Sequence, residues 1–225
     1  MTTTPRIKIC GLKDSTTIEA MEGLPFHEIG FVFAPSKRQV DPETAAGLIR
    51  SAKQLKAANG EAPQTVGVFV NPDLNELEHI LSKAPLDVVQ LHGQETAEFS
   101  RLVKSSFPVK VWKVMSIGKD GQSAAERVSP FDGAIDALLI DTAGGGTGQT
   151  FDWQVISEYQ KAAAAIQVPL YVAGGLNPGN VGELLTGNQV DGIDVSSGVE
   201  TNGHKDIEKI RLFVGKVIEH EPSTR

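Results

Sequence analysis

The stretch "AGGLNPGNVGELLTGNQVDGIDVSSGVE", residues 173–200, contains the pattern that decides the fold. It leaves an apolar run, Val168–Ala173, through a glycine loop and a helical segment, "NPGNVGELLT". It then enters a second apolar run, Gly192–Val195, and ends in another glycine loop. A strand, a helix and a strand in succession imply parallel neighbours, because parallel strands need a crossover connection. The same alternation runs outward to both ends of the chain. Further strands are expected at Ile7–Cys10, Glu28–Phe33, Thr65–Val70, Asp87–Leu91, Val109–Val114 and Ala137–Asp141. Between them, "PETAAGLIRSAKQL", "DLNELEHILSKA", "TAEFSRLVKSS", "DWQVISEYQKAAAA" and "KDIEKIRLFVGKVI" carry apolar residues at helical spacing. Several open with Asp, Thr or Asn, or with Pro in the first turn, as helix starts do. The weakest helical pattern lies within "GKDGQSAAERVSPFDGA". Eight units suit one α/β domain over residues 1–225, a (β/α)8 or TIM barrel with loose tails at about 1–5 and 219–225. A doubly wound open sheet is the alternative.

Composition narrows the function. Hydrophobic residues make up 40% and charged residues 22%, enough apolar material for a full core. No apolar run reaches the roughly 18 residues of a membrane span, so no membrane partner is expected. The N-terminus lacks the basic-then-apolar plan of a signal peptide. One cysteine excludes an internal disulfide and agrees with a reducing cytoplasm. The net charge of −7, without a Lys/Arg cluster, argues against nucleic acid. The five histidines show no metal-ligand spacing, so no metal is expected.

In a barrel of this kind the chemistry lies at the C-terminal ends of the strands. Polar residues collect there: Cys10, Gln90 with His92, Asp141 and Asp194, with Arg38 on the loop after the second strand. Alternation along a strand places Lys8 with Cys10, and Gln90 with His92, on one face. Each has a plain structural reading. Cys10 can be a small buried hydrophobe, His92 a packing residue, Asp141 a turn cap, and Lys8 the partner of Asp194 across the barrel. Their common placement at one rim favours a shared site. Three glycine loops add to it: "GGGTGQTFDW" (144–153), "AGGLNPGNV" (173–181) and "VSSGVE" (195–200). Glycine lets backbone amides approach an anion closely, and helix N-termini bind phosphate without lysine. Barrels often place a phosphate site after the last two strands at a short extra helix, which "SSGVET" suits.

Together, "KICGL", "GFVFAPSKRQV", "VVQLHG", "LLIDT", "GGTGQTFDW", "AGGLNPGNV" and "DVSSGVE" resemble the phosphoribosylanthranilate isomerase family. The resemblance implies a cofactor-independent Amadori rearrangement in tryptophan biosynthesis, in which an N-linked phosphoribosyl aldose becomes a 1-deoxyketose. It implies Cys10 as general base, Asp141 as general acid and Arg38 as the contact of the anthranilate carboxylate. It gives phosphate to amides of Gly146, Gly174, Gly175, Ser196, Ser197 and Gly198; from their placement at the strand ends, Lys8, Gln90, His92 and Asp194 are expected among the substrate-binding residues. A monomer or homodimer is expected. The residues between Asp141 and "GGTG" are fewer than in many members, and Gln149 stands where Lys is frequent. For this chemistry Asp141 should be protonated through burial and Cys10 should be a thiolate or nearly so. Two rivals remain: another sugar-phosphate barrel enzyme, and a non-catalytic barrel that binds a phosphorylated ligand.

Overall fold

Eight parallel strands close into a barrel in chain order: β1 (Arg6–Cys10), β2 (Glu28–Val32), β3 (Gln64–Phe69), β4 (Val88–Leu91), β5 (Lys110–Ile117), β6 (Ala137–Thr142), β7 (Leu170–Val172) and β8 (Gly192–Val195). The last pairs with the first, Lys8 opposite Asp194, which closes the sheet. The computed structural model describes residues 4–117, 121–142 and 153–220. Helices α1 (Ser15–Ala20), α2 (Pro42–Ala52), α3 (Leu74–Lys83), α4 (Ala97–Ser106), α5 (Ala124–Val128), α6 (Ile156–Ala165), α7 (Val181–Gly187) and α8 (Ile207–Glu219) come after their strands in turn.

Local chemistry sets the helix starts. Asp14, Asp41, Asp73, Thr96 and Asp206 each accept a first-turn N–H, and Ser123 forms a reciprocal capping box with Glu126. Three elements differ from the sequence reading. Helix α1 buries only Ile18, too little for an apolar period to show in sequence. Strand β7 starts two residues later than expected, because Val168 N–H donates to Ala163 O at the end of α6 and Pro169 has no N–H to donate. Strand β5 runs on to Ile117, paired with Thr142. Pro5 is buried and α8 reaches Glu219, so both lie inside the fold rather than in tails.

Alternation sorts the side chains into two apolar clusters. The larger one lies between barrel and helices and includes Ile9, Phe31, Val111, Ile140, Ile193 and Phe213. The smaller one, Val66, Val88, Trp112, Val114, Ala137, Leu139, Tyr171 and Ala173, fills the lumen. Trp112 and Tyr171 meet there with ring centroids 4.5 Å apart. Below them Arg6 Nε donates to Glu28 Oε1 (2.7 Å) and to the Tyr171 hydroxyl (3.0 Å), a polar floor at the N-terminal end of the barrel. The lumen is thus packed from below.

His27 Nδ1 accepts the Ile7 N–H at 3.1 Å, a bond that requires the neutral ring. Burial, helped by nearby Arg6, lowers its pKa to about 4. Between pH 6.5 and 4 the unfolded chain therefore binds a proton that the folded form refuses. Stability is complete above about pH 6.5 and declines as the pH falls toward 4. His92, also held at about 4 by burial, acts in the same sense. Thermal melts of His27→Gln should lose Tm less steeply than the parent over this range. An unchanged slope would assign the acid sensitivity elsewhere.

Candidate functional site

Cys10 ends β1 with its side chain on the lumen face, almost fully buried. It has room because its register partner on β2 is Gly30; a Cβ there would lie 2.7 Å from the sulfur. Gly11 comes next with φ +82°, a turn only glycine takes easily, and Arg38 Cδ lies against it. One layer below, Lys8 is wholly buried and its ammonium sits 3.0 Å from Asp194 Oδ1. The expectation that Lys8 and Asp194 pair is met, but between neighbouring strands of the closed barrel rather than across it. Lys8 is therefore engaged inside the barrel. It supports the thiol from beneath, its own pKa raised well above the usual value by Asp194 and Cys10 against the cost of burial. The Cys10 thiol moves the other way from the sequence reading. Burial pushes its pKa up, outweighing the lowering by Lys8 and Lys205, so it rests as a thiol.

The opposite side of the mouth carries Asp141, buried at the end of β6, with its Oδ2 3.6 Å from His92 Nε2. That distance is ion-pair range but long for a hydrogen bond. Desolvation keeps His92 neutral at pH 7, so no imidazolium faces the carboxyl. Gln90 sits below His92 on the same face, buried, and its Oε1 accepts no hydrogen bond among the described residues. His92 lies within electrostatic reach of Lys8 and Asp194, which joins the two sides of the mouth. The loop that carries it is pinned by Glu95, which accepts from Gly93 N–H and Asn71 N–H and pairs with buried Lys113 at 2.6 Å.

Two of the three glycine loops, 173–181 and 195–200, fall where the sequence places them. Gly174 and Gly175 take φ of +91° and +64°, turning the chain after β7. After β8, Ser197–Val199 forms a single 3-10 turn, the short extra helix expected there. Gly198 is fixed by contact: a Cβ would lie 1.8 Å from Leu176 O, so the two loops touch through it. Ser196 Oγ donates to Cys10 O at 3.1 Å and ties the β8 loop to the thiol's strand. Gly146 lies outside the described residues.

Two site residues escape the sequence reading. Arg38 donates from Nε (2.6 Å) and Nη2 (3.1 Å) to the carboxylate of Glu200, and Lys205 Nζ reaches Glu200 Oε1 at 2.8 Å. Lys205 also donates to Ser196 O at 2.8 Å. Glu200 ends "DVSSGVE" with no chemical signal of its own, and Lys205 reads in sequence as part of the α8 pattern. It lies instead in a two-stranded ribbon, Glu200–Thr201 with His204–Lys205, that folds back over the β8 loop. The signal available is a Glu and a Lys five residues apart around "TNGH", the turn of a hairpin. Away from the mouth, a groove of about 1080 Å³ opens on the N-terminal face, lined by Gln160, Gln167, Asn188 and Asp191 among others. Its carboxylate is engaged, accepting the Leu170 N–H.

Such a mouth can hold an anion on amides, read a carboxylate with an arginine, and flank the space between them with a carboxyl and a thiol. A family model described as N-(5'-phosphoribosyl)anthranilate (PRA) isomerase matches residues 7–216. The chain belongs to this isomerase family. A protein of that name from Brevibacillus brevis is 45% identical over 220 residues, covering 96% of this chain and 95% of its own. The phosphoribosyl anthranilate isomerase structure from Thermotoga maritima superposes with a TM-score of 0.78 at 30% identity, covering 96% of this chain and 99% of that one. An isomerase in complex with reduced 1-(o-carboxyphenylamino)-1-deoxyribulose 5-phosphate superposes with a TM-score of 0.76 at 30% identity, with coverage of 96% and 99%.

For the isomerase site, Gly198→Ala tests how tightly the two loops are joined. The new methyl meets backbone, which cannot rotate away, so Tm should fall by at least about 2 °C. An unchanged melting curve would mean that the loops have slack.

Proposed function

We propose that the chain isomerises N-(5'-phosphoribosyl)anthranilate with Asp141 as general acid and Cys10 as general base. The product is 1-(2-carboxyphenylamino)-1-deoxyribulose 5-phosphate, formed as a step of tryptophan biosynthesis. The observation that carries the role assignment is that a buried carboxyl and the chain's one thiol end two strands, β6 and β1, on the lumen side of one mouth. Asp141 delivers a proton to the ribose ring oxygen as the C1–O bond breaks and the anilino nitrogen takes up the positive charge. Cys10, in the minor fraction ionised to thiolate, then removes the proton on C2, and the enamine that results tautomerises to the ketose. Protons and electrons balance within substrate and enzyme, so the proposed chemistry uses no metal or cofactor. Neutral His92 beside Asp141 supports the acid role, since a cation there would hold the carboxyl ionised.

The phosphate is assigned to the amides of the β7 and β8 loops, around Gly174, Gly175, Ser197 and Gly198. Arg38 is assigned to the anthranilate carboxylate. Two anchors at the ends of the substrate place its sugar between acid and base, and such positioning can lower a barrier by several kcal/mol, about 7–11 at best. All these residues belong to one chain, so the site needs no second copy, whether the protein works as a monomer or as a homodimer. A solved relative is described as a monomeric form of the dimeric enzyme from Thermotoga maritima. A reducing cytoplasm suits a catalytic thiol, and we place the protein there.

Cys10→Ser and Asp141→Asn should each lower turnover by about a hundredfold or more in the substrate-fluorescence assay, as lost proton transfer does. Both should still bind the reduced product analogue. Normal isomerisation by both variants would sink the assignment, and loss of wild-type activity with a chelator would point to a metal enzyme instead. Arg38→Ala should act mainly on KM; unchanged kinetics would remove it from the site.

A further inference from the structure

Glu200 stands at a junction that the roles above leave unexplained. Its carboxylate, 6% exposed, accepts both bonds from one edge of Arg38, Nε and Nη2, and also holds Lys205. A guanidinium has two edges that fit a carboxylate side by side, one made by Nε with Nη2 and one made by the two terminal nitrogens. Glu200 takes the first. Among the described residues Nη1 makes no hydrogen bond, so the second edge keeps a donor for a ligand carboxylate. The plane of Arg38 is thereby set before a ligand arrives, and Gly11 lies against its stem. The other arm of Glu200 reaches Lys205, whose ammonium bonds Ser196 O in the loop bound to Cys10 O. One carboxylate thus restrains two cations, with Lys37 a third at 3.8 Å, and leaves the cluster with net positive charge.

We propose that Glu200 is a positioning residue that aims the outer edge of Arg38 at the substrate carboxylate and holds Lys205 as the cation facing the Cys10 thiol. The inference rests on the isomerase reading and deepens it. It assigns specificity for the ortho-carboxylate to a guanidinium oriented from behind, and assigns part of the thiol's electrostatics to a residue beyond the last barrel strand. The charged groups facing Cys10 are Lys8 on its own strand, Asp194 on β8 and Lys205 on the ribbon. Lys8 is matched by Asp194 at 3.0 Å, whereas the partner of Lys205 is shared with Arg38. Removing Lys205 should therefore be felt at the thiol.

Steady-state kinetics of the full chain test this. Glu200→Gln keeps the shape and loses the charge; KM for phosphoribosylanthranilate should rise about tenfold with a much smaller change in kcat. In an Arg38→Ala background the same substitution should add little, because Glu200 acts through that side chain. Lys205→Met should move the limb of the kcat–pH profile that titrates Cys10 upward by on the order of one unit, and Lys205→Arg should restore it. Circular dichroism and Tm confirm that each variant is folded; if Glu200→Gln fails to fold, the Lys205 pair still decides. A folded Glu200→Gln with parental KM, additive effects in the double variant, or a pH profile indifferent to Lys205 would each overturn the proposal. Loss of isomerase activity in the unmodified chain would instead overturn the reading beneath it.

Discussion

A lysine ammonium without solvent contact stays charged inside a protein only beside a carboxylate, and Lys8 has one, Asp194, 3.0 Å away. The pair spans the seam where β8 meets β1 and the sheet becomes a barrel. A slip of one residue along that seam would turn every side chain on the slipped strand to the other face. It would also separate two buried charges, which costs several kcal/mol. A buried ion pair adds little net stability, but here it penalises the wrong register heavily. The position of the mouth is a consequence. Cys10 is the next lumen-facing residue on β1 and Ser196 lies just beyond Asp194 on β8, and these two are bonded to each other. The thiol stands where it does because the ion pair beneath it closes the sheet.

An anion site in an acidic protein is then a question of where charge is placed. The chain carries −7 overall, yet its mouth gathers Lys8, Arg38 and Lys205 around Asp194 and Glu200. Around Glu200 two cations share one carboxylate, and that carboxylate is pulled down to a pKa of about 2, mainly by its bonds to Arg38 and Lys205, which overcome the burial that opposes it. Outside, pairs such as Lys104–Asp136 and Arg211–Glu208 are exposed and contribute little. The positive charge at the mouth is local, and on the proposed reading it supplies recognition of an anionic substrate. On the proposed reading, loop amides at Gly174, Gly175 and Gly198 complete it without further lysines.

The features legible in the sequence are those that obey short-range rules. Alternating apolar runs and helical periods reveal the barrel and seven of its helices. The helix they do not reveal, α1, buries one side chain, and the one strand clearly misjudged at its start, β7, is cut short by a helix end and a proline. Strand-end parity puts Cys10, Gln90, His92 and Asp141 at one rim, since side chains two apart share a face. The Arg38–Glu200–Lys205 junction lies beyond such rules. Its members come from the β2 loop and from a ribbon after β8, 162 residues apart for the Arg38–Glu200 bond. Only closure of the barrel makes those loops neighbours. Lys8 is visible in sequence as a partner for Asp194, but its depth is not, because burial depends on how the neighbouring strands tilt.

The protonation of Cys10 is the instructive disagreement. A base is expected to rest as its conjugate anion, yet burial raises this thiol above its usual pKa. The two demands are compatible once population and strength are separated. A desolvated thiolate is rarer at neutral pH than an exposed one, but each one formed is a stronger base toward a carbon acid. In the proposed reaction the proton on C2 is hard to remove, so strength is the scarcer quantity. Lys8 and Lys205 then keep the population from falling too far. Burial also leaves the resting sulfur poorly nucleophilic, since oxidants and electrophiles attack the thiolate. Gly30 gives the thiol space, and burial makes it basic when ionised and inert when not.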